Sequence, residues 1–230
     1  MNPEHLLLLL AALLGWGTIV GLDLVSVPQG LLARPLVAGA VAGWLVGDPE
    51  AGLRVGAVLE LFALDVLPVG ASKYPEYGPA AVGAVAAAAF LPPGLGTGVG
   101  VLLGLVVALL AARTLDWLRH ANARHVHRLT EELDTGSLAA IRRLQWAGIA
   151  RDAARSAGVT AVGLLLALAL MNWMRVEWMS PLLTPVLLGV GLASALHGAL
   201  RTAGRGRRLA WLGLGVATGV LVVVGFGTPV

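Results

Sequence analysis

Glu60 and Asp65 lie in an apolar run within residues 51–69, a stretch long enough to cross a membrane, in a chain of membrane-grade composition. An ionised carboxylate in lipid is expensive, so each acid must face protein, a counter-ion or a wet cavity. A carboxylate can take two hydroxyl donors at once, which suits a polyol; it can also relay protons or close a salt bridge. On one helix Glu60 and Asp65 sit about 140° apart and do not form a carboxylate pair, unless the backbone unwinds after Leu64. Arg54 is roughly 16 Å along the axis from Asp65, which excludes a direct pair within one helix. Arg34 or Arg54 can still reach either acid from another element.

Two irregular segments flank this run. Pro68-Val69-Gly70-Ala71, followed by Lys73 and Pro75-Glu76, cannot continue a regular helix, and its freed amides and carbonyls can bind a polar solute or form a plain turn. Asp23, Ser26 and Gln29 sit where a first apolar run ends at Pro28-Gln29-Gly30, as solute ligands or as a helix cap. Other chemistries find little support. His120 and His127 share a face but His125 does not, and no Cys or carboxylate completes a metal set. Gly94-x-Gly96 follows no strand and precedes no Lys, so it is not a phosphate loop. No nucleophile elbow is present. No catalytic residue and no cofactor are expected.

The elements that must position these residues are membrane helices. Residues are 57% hydrophobic and only 13% charged, against roughly 25% charged in soluble domains. Of the 15 arginines, 12 fall in 113–155 and 201–208, which reads as a positive-inside signal rather than a nucleic-acid surface. Residues 6–27 form a first, retained span. Residues 35–47 and 78–91 are shorter than the roughly 20 residues a span needs, and both end at turn signals, Gly47-Asp48-Pro49 and Pro92-Pro93-Gly94. They are read as half-helices or re-entrant segments, the best sequence pointer to a transport site. Gly39/Gly43/Gly47 and Gly96/Gly100/Gly104 each line one helix face for close packing.

Residues 113–133 carry Leu115, Leu118, Val126, Leu129 and Leu133 on one arc and Arg113, Arg124, Arg128 and Glu131 opposite. Gly136-Ser137 signals a stop and a new N-cap, and residues 138–155 carry Arg142, Arg143, Arg151 and Arg155. This reads as a basic amphipathic hairpin at the cytoplasmic surface. Spans follow at 156–173, 181–200 and 209–226. The expected class is therefore all-α and polytopic, organised as a membrane region over 1–112, the hairpin over 113–155 and C-terminal membrane helices over 156–230. With 201–208 inside, the 174–180 loop and Val230 are expected outside.

RPLVAGAVAGWLVGDPEAG from Arg34, GAVLELFAL from Gly56, PVGASKYPE from Pro68 and the polar LRHANARHVHRLTEELDTGSLAAI resemble the IIC membrane subunit of the mannose/fructose/sorbose family of the bacterial phosphoenolpyruvate-dependent sugar phosphotransferase system. The resemblance runs over roughly residues 15–225. It implies a sugar-conducting, multi-pass subunit of the cell (inner) membrane, assembled into a hetero-oligomer with a IID membrane partner. Phosphate would come from histidines of separate or fused IIA and IIB components, with no phosphorylated residue in IIC. Glu60, Gly70 and Glu76 align with family positions, whereas Asp65 and Pro68 depart from the mannose-type pattern and leave the sugar unnamed. Glu60, Asp65, Gly70, Glu76, Gln29 and Asp23 are the expected sugar-binding set. The competing expectations are a non-transporting sensor or scaffold that docks through the hairpin, and a self-contained proton-coupled carrier resting on Glu60 and Asp65.

Overall fold

The computed structural model describes residues 2–27, 29–66, 73–92, 95–175, 180–203, 210, 213–215 and 217–218. These form eight helices and no strand: α1 (Pro3–Val25), α2 (Pro35–Val46), α3 (Pro49–Ala63), α4 (Tyr77–Phe90), α5 (Gly96–Arg128), α6 (Thr130–Asp134), α7 (Leu138–Trp173) and α8 (Leu183–Ala203). Among them α1, α5, α7 and α8 are long and apolar enough to cross a membrane. At 12 and 14 residues, α2 and α4 fall short of the roughly 20 that a crossing needs. The chain is an all-helical, multi-pass membrane protein. Gly70, most of the expected 209–226 span and Val230 lie outside the described residues.

Local chemistry sets the helix ends. Gly47 closes α2 in the left-handed conformation (φ 80°), Asp48 caps α3 by accepting from the Ala51 N–H at 2.9 Å, and Pro49 supplies the first helical position. Gly136 (φ 73°) and Ser137, whose hydroxyl accepts from the Ala140 N–H, do the same between α6 and α7. Gly47 therefore ends its helix rather than extending the Gly39/Gly43 packing face.

That face is used inside the chain. A Cβ added at Gly43 would sit 2.6 Å from the Gly52 Cα, and one at Gly39 would sit 2.8 Å from the Gly52 carbonyl oxygen. The α2 and α3 backbones thus touch, which only glycine on both sides allows. The second series brings α5 onto α4, where Gly104 lies against Ala84 and Leu59. The Ala-rich α4 is the centre of the core: Ala80 to Ala87 are almost wholly buried, surrounded by α1, α2, α3, α5 and α7. Small side chains make it thin enough to accept five neighbours.

The expected self-contained hairpin over 113–155 takes a different form. α5 runs unbroken from Gly96 through Arg113 to Arg128, and α7 runs unbroken from Leu138 through Arg155 to Trp173. The boundaries at 112 and 155 fall inside continuous helices because neither junction, Ala112-Arg113 or Arg155-Ser156, carries Gly or Pro. Leu115 and Leu118 are buried on the expected apolar arc, while Val126 farther along is exposed.

Candidate functional site

The helix breaks at the ends of α1 and α3 converge on one pocket. Its volume is about 190 Å³, and its polar lining comprises Asp23, Gln29, Arg34, Tyr74, Glu76 and Tyr77. Asp23, in the last turn of α1, is buried, and its two oxygens accept from the Gly30 N–H (2.6 Å) and the Ala33 N–H (3.0 Å). It folds the α1–α2 loop back over the helix end. Gln29 donates its side-chain amide to the Leu24 carbonyl at 3.2 Å. Leu31 in the same loop has φ 64°, a left-handed backbone costing about 1–2 kcal/mol for an L-residue. The Asp23 bonds hold that strain at the rim of the pocket.

On the facing wall, Tyr74 precedes α4. Burial, outweighing the nearby Arg119 guanidinium, pushes its phenol above the ordinary value, so it stays a neutral donor. Arg119 stands over the ring at 5.5 Å from its centroid. Arg34, immediately before α2, is half exposed and forms an ion pair with Glu60. The other Glu60 oxygen accepts from the Leu36 N–H at 3.2 Å, in the first turn of α2, where a helix welcomes an anion. Glu60 thus occupies the ion-pair arrangement and stands behind Arg34, outside the pocket lining. Arg54 is the other cation weighed for the acids, and it pairs with Glu50 one turn back on α3.

Asp65 is not part of this pocket's lining. Its carboxylate meets His197 of α8 at 3.0 Å, and its backbone carbonyl accepts from Arg201 at 3.0 Å. α8 crosses there because Gly198 lets it approach: an added Cβ would sit 2.7 Å from the Asp65 Cα. Of the expected site residues, the structure brings Asp23, Gln29 and Glu76 into one pocket and Glu60 one partner behind it. Asp65 is separate, and Gly70 lies outside the described residues.

Glu76 leads to a feature that sequence reasoning misses. Arg155, expected as one of the basic residues of the surface hairpin, is buried, with its guanidinium bidentate on Glu76 (Nη2–Oε1 2.8 Å). Its Nε donates to Asp152 at 2.9 Å and its Nη2 to Ser156 at 3.1 Å, and the Ser26 hydroxyl donates to the second Asp152 oxygen. The Glu76 backbone N–H donates to the Ala108 carbonyl of α5 at 3.1 Å. Two carboxylates thus share one guanidinium, with Glu76 in the pocket lining and Asp152 behind it. The network ties α1, α4, α5 and α7 together where they meet. A signal is present: Asp152 and Arg155, at i and i+3, abut the apolar stretch that starts at Ser156. Their partner Glu76 lies 79 residues from Arg155, and no local pattern supplies it.

The described residues hold no cluster of three His, Cys, Asp or Glu side chains suited to a metal. The pocket's neutral phenol, guanidinium and carboxylates can bind a polyhydroxylated solute through hydrogen bonds.

The family model of the PTS system sorbose-specific IIC component matches residues 5–191. The Fructose permease IIC component of Bacillus subtilis (strain 168) is 29% identical over 136 residues, covering 59% of this chain and 47% of that protein. The PTS system sorbose-specific EIIC component of Lacticaseibacillus casei is 36% identical over 61 residues, 26% of this chain and 22% of the other. The matches thus span half or less of these relatives' length. Among solved structures, one titled "Structure of membrane protein" superposes with a TM-score of 0.72 at 21% identity, covering 95% of this chain and 91% of that chain. The mannose transporter ManYZ in complex with microcin E492 gives a TM-score of 0.55 at 22% identity, with 95% and 90% covered. These two likenesses speak for the fold.

Proposed function

This chain belongs to the family of PTS system sorbose-specific IIC components, and on that premise we propose that it is a sugar-translocating membrane subunit whose solute site is the Asp23–Arg34–Tyr74–Glu76 pocket. The observation that carries this reading is the pocket itself. Two separate chain breaks, between α1 and α2 and between α3 and α4, deliver polar side chains to one cavity beside the short helices α2 and α4. Broken, short helices put backbone and polar groups at depth without exposing them to lipid.

Within the pocket, Arg34 and Tyr74 are the direct donors to sugar oxygens. Glu60 positions Arg34, and Asp23 holds the loop that closes the rim. Glu76 presents a carboxylate fixed by Arg155. The chain carries out no phosphoryl chemistry of its own; IIB and IIA phosphocarriers supply it, and a IID subunit completes the membrane complex. The complex resides in the cell (inner) membrane. The helical arms over 113–155 form its cytoplasmic face, and the 174–180 loop its outer one.

Calorimetry on the chain purified with its IID partner, titrated with fructose, sorbose and mannose, tests this reading. Arg34→Gln removes a charged donor and should weaken binding by roughly tenfold or more, and Tyr74→Phe by roughly fivefold. Wild-type affinity in both variants would place the sugar elsewhere. No heat with any of the sugars would sink the transport reading.

A further inference from the structure

A second cavity, about 560 Å³, lies between α5 and α7. Its floor is apolar, with Leu110, Val159 and Val162 among the lining residues. Val162 and Leu110 are 45% and 44% exposed, so this is an open groove rather than a core void. Gly158 leaves it open on the α7 side, since an added Cβ there would meet nothing within 4 Å. At one end stand Arg113 and Trp117, one helical turn apart on α5, and both are exposed. Arg113 makes no hydrogen bond or ion pair with a described residue. The one acid of α5, Asp116, is engaged by Lys73 at 2.9 Å.

The position along α5 defines what fits. Arg113 is the first charged residue of the helix, and every position before it, from Gly96 to Ala112, is uncharged. It therefore marks the level where hydrocarbon gives way to headgroups, and exposed Trp favours that same level. An apolar groove running down from a guanidinium that has no partner among the described residues matches one molecule: a lipid with an acyl chain and an anionic head. Basic pockets between membrane helices bind such heads. We propose that the α5–α7 groove is a binding site for an anionic phospholipid, its phosphate on Arg113 and one acyl chain along Leu110, Gly158 and Val162. The site shares Arg155 and Thr114 with the network behind the sugar pocket, because both residues line the groove and Thr114 accepts from Arg155 at 3.4 Å.

The test uses tryptophan quenching in the intact protein. The chain is reconstituted into phosphatidylcholine vesicles containing either brominated phosphatidylglycerol or brominated phosphatidylcholine at equal fraction. The Trp117 contribution is the difference between wild type and Trp117→Phe. The expected result is a preference for phosphatidylglycerol of roughly fivefold, the effect of one interfacial arginine. Arg113→Gln should abolish the preference, and Gly158→Leu, whose Cβ enters open space and whose side chain fills the groove, should reduce quenching by both lipids. Equal quenching by the two lipids overturns the proposal. So does the absence of any Trp117-dependent quenching, the outcome if a partner helix or a second copy occupies the groove. A preference that survives both substitutions also overturns it. Sugar affinity is not part of the readout, so failure here leaves the transport reading standing.

Discussion

The molecule holds two acid–arginine pairs beside one pocket, and they are built to opposite ends. In the Arg155–Glu76 pair both side chains are 1% exposed and every guanidinium nitrogen has a partner. In the Arg34–Glu60 pair the side chains are 41% and 18% exposed, and only one guanidinium nitrogen bonds the acid. A buried pair is costly to break, because the remaining charge has nowhere to go. A half-exposed pair gains little and exchanges partners readily. The first therefore fixes where the helices meet, and the second can lend its guanidinium to a solute. On the proposed reading, identical residue types serve as joint and as ligand according to how much water reaches them.

The largest effect should come from Arg155→Met, which removes the shared cation and leaves Glu76 and Asp152 buried and unpaired. The expected loss is about 3–5 kcal/mol, enough to abolish assembly of the folded protein. Thermal unfolding in detergent and recovery of folded protein measure it; an unchanged midpoint would break the contrast between the pairs.

A smaller effect should follow Gly43→Leu, which forces apart the touching α2 and α3 backbones and so moves the elements that carry Arg34 and Glu60. Overpacking of this kind costs about 1–3 kcal/mol. Sugar affinity should fall while a cysteine cross-link between α4 and α7, placed in the cysteine-free chain, forms as before. Loss of that cross-link would show that the two pairs are not independent.

The smallest change in stability should come from Glu60→Gln. An exposed pair contributes about 0–1 kcal/mol, so the unfolding midpoint should scarcely move. Sugar affinity should change, because Arg34 loses its tether. A marked drop in midpoint with unaltered affinity would make Glu60 a structural residue and erase the difference between joint and ligand.

Much of the scaffold is legible in short patterns. Gly47-Asp48-Pro49 and Gly136-Ser137 form the stops and caps their residues specify, because capping is decided within four or five residues. The shortness of α2 and α4 is also visible, as is the glycine spacing that brings α2 onto α3. The convergence of Asp23, Gln29 and Glu76 can be suspected only because each sits at a chain break. Arg155 reads as a surface residue in the company of its basic neighbours, and the pairing that buries it is tertiary. Asp65 groups with Glu60 by proximity in sequence, yet the turn after Ala63 sends it to α8.

The unbroken course of α5 has a mechanical consequence. At 1.5 Å per residue its 33 residues measure about 50 Å, while the hydrocarbon layer is about 30 Å thick. Roughly 20 Å of rigid rod thus extends beyond the hydrocarbon layer, and α7 at 36 residues runs beside it. The rods are joined at the tip by the short helix α6 and the turn at Gly136, and at their base by Arg155, which touches Thr114. Such a pair is a lever with its fulcrum at the lipid surface. A tilt of ~5° there displaces the tip by about 2 Å.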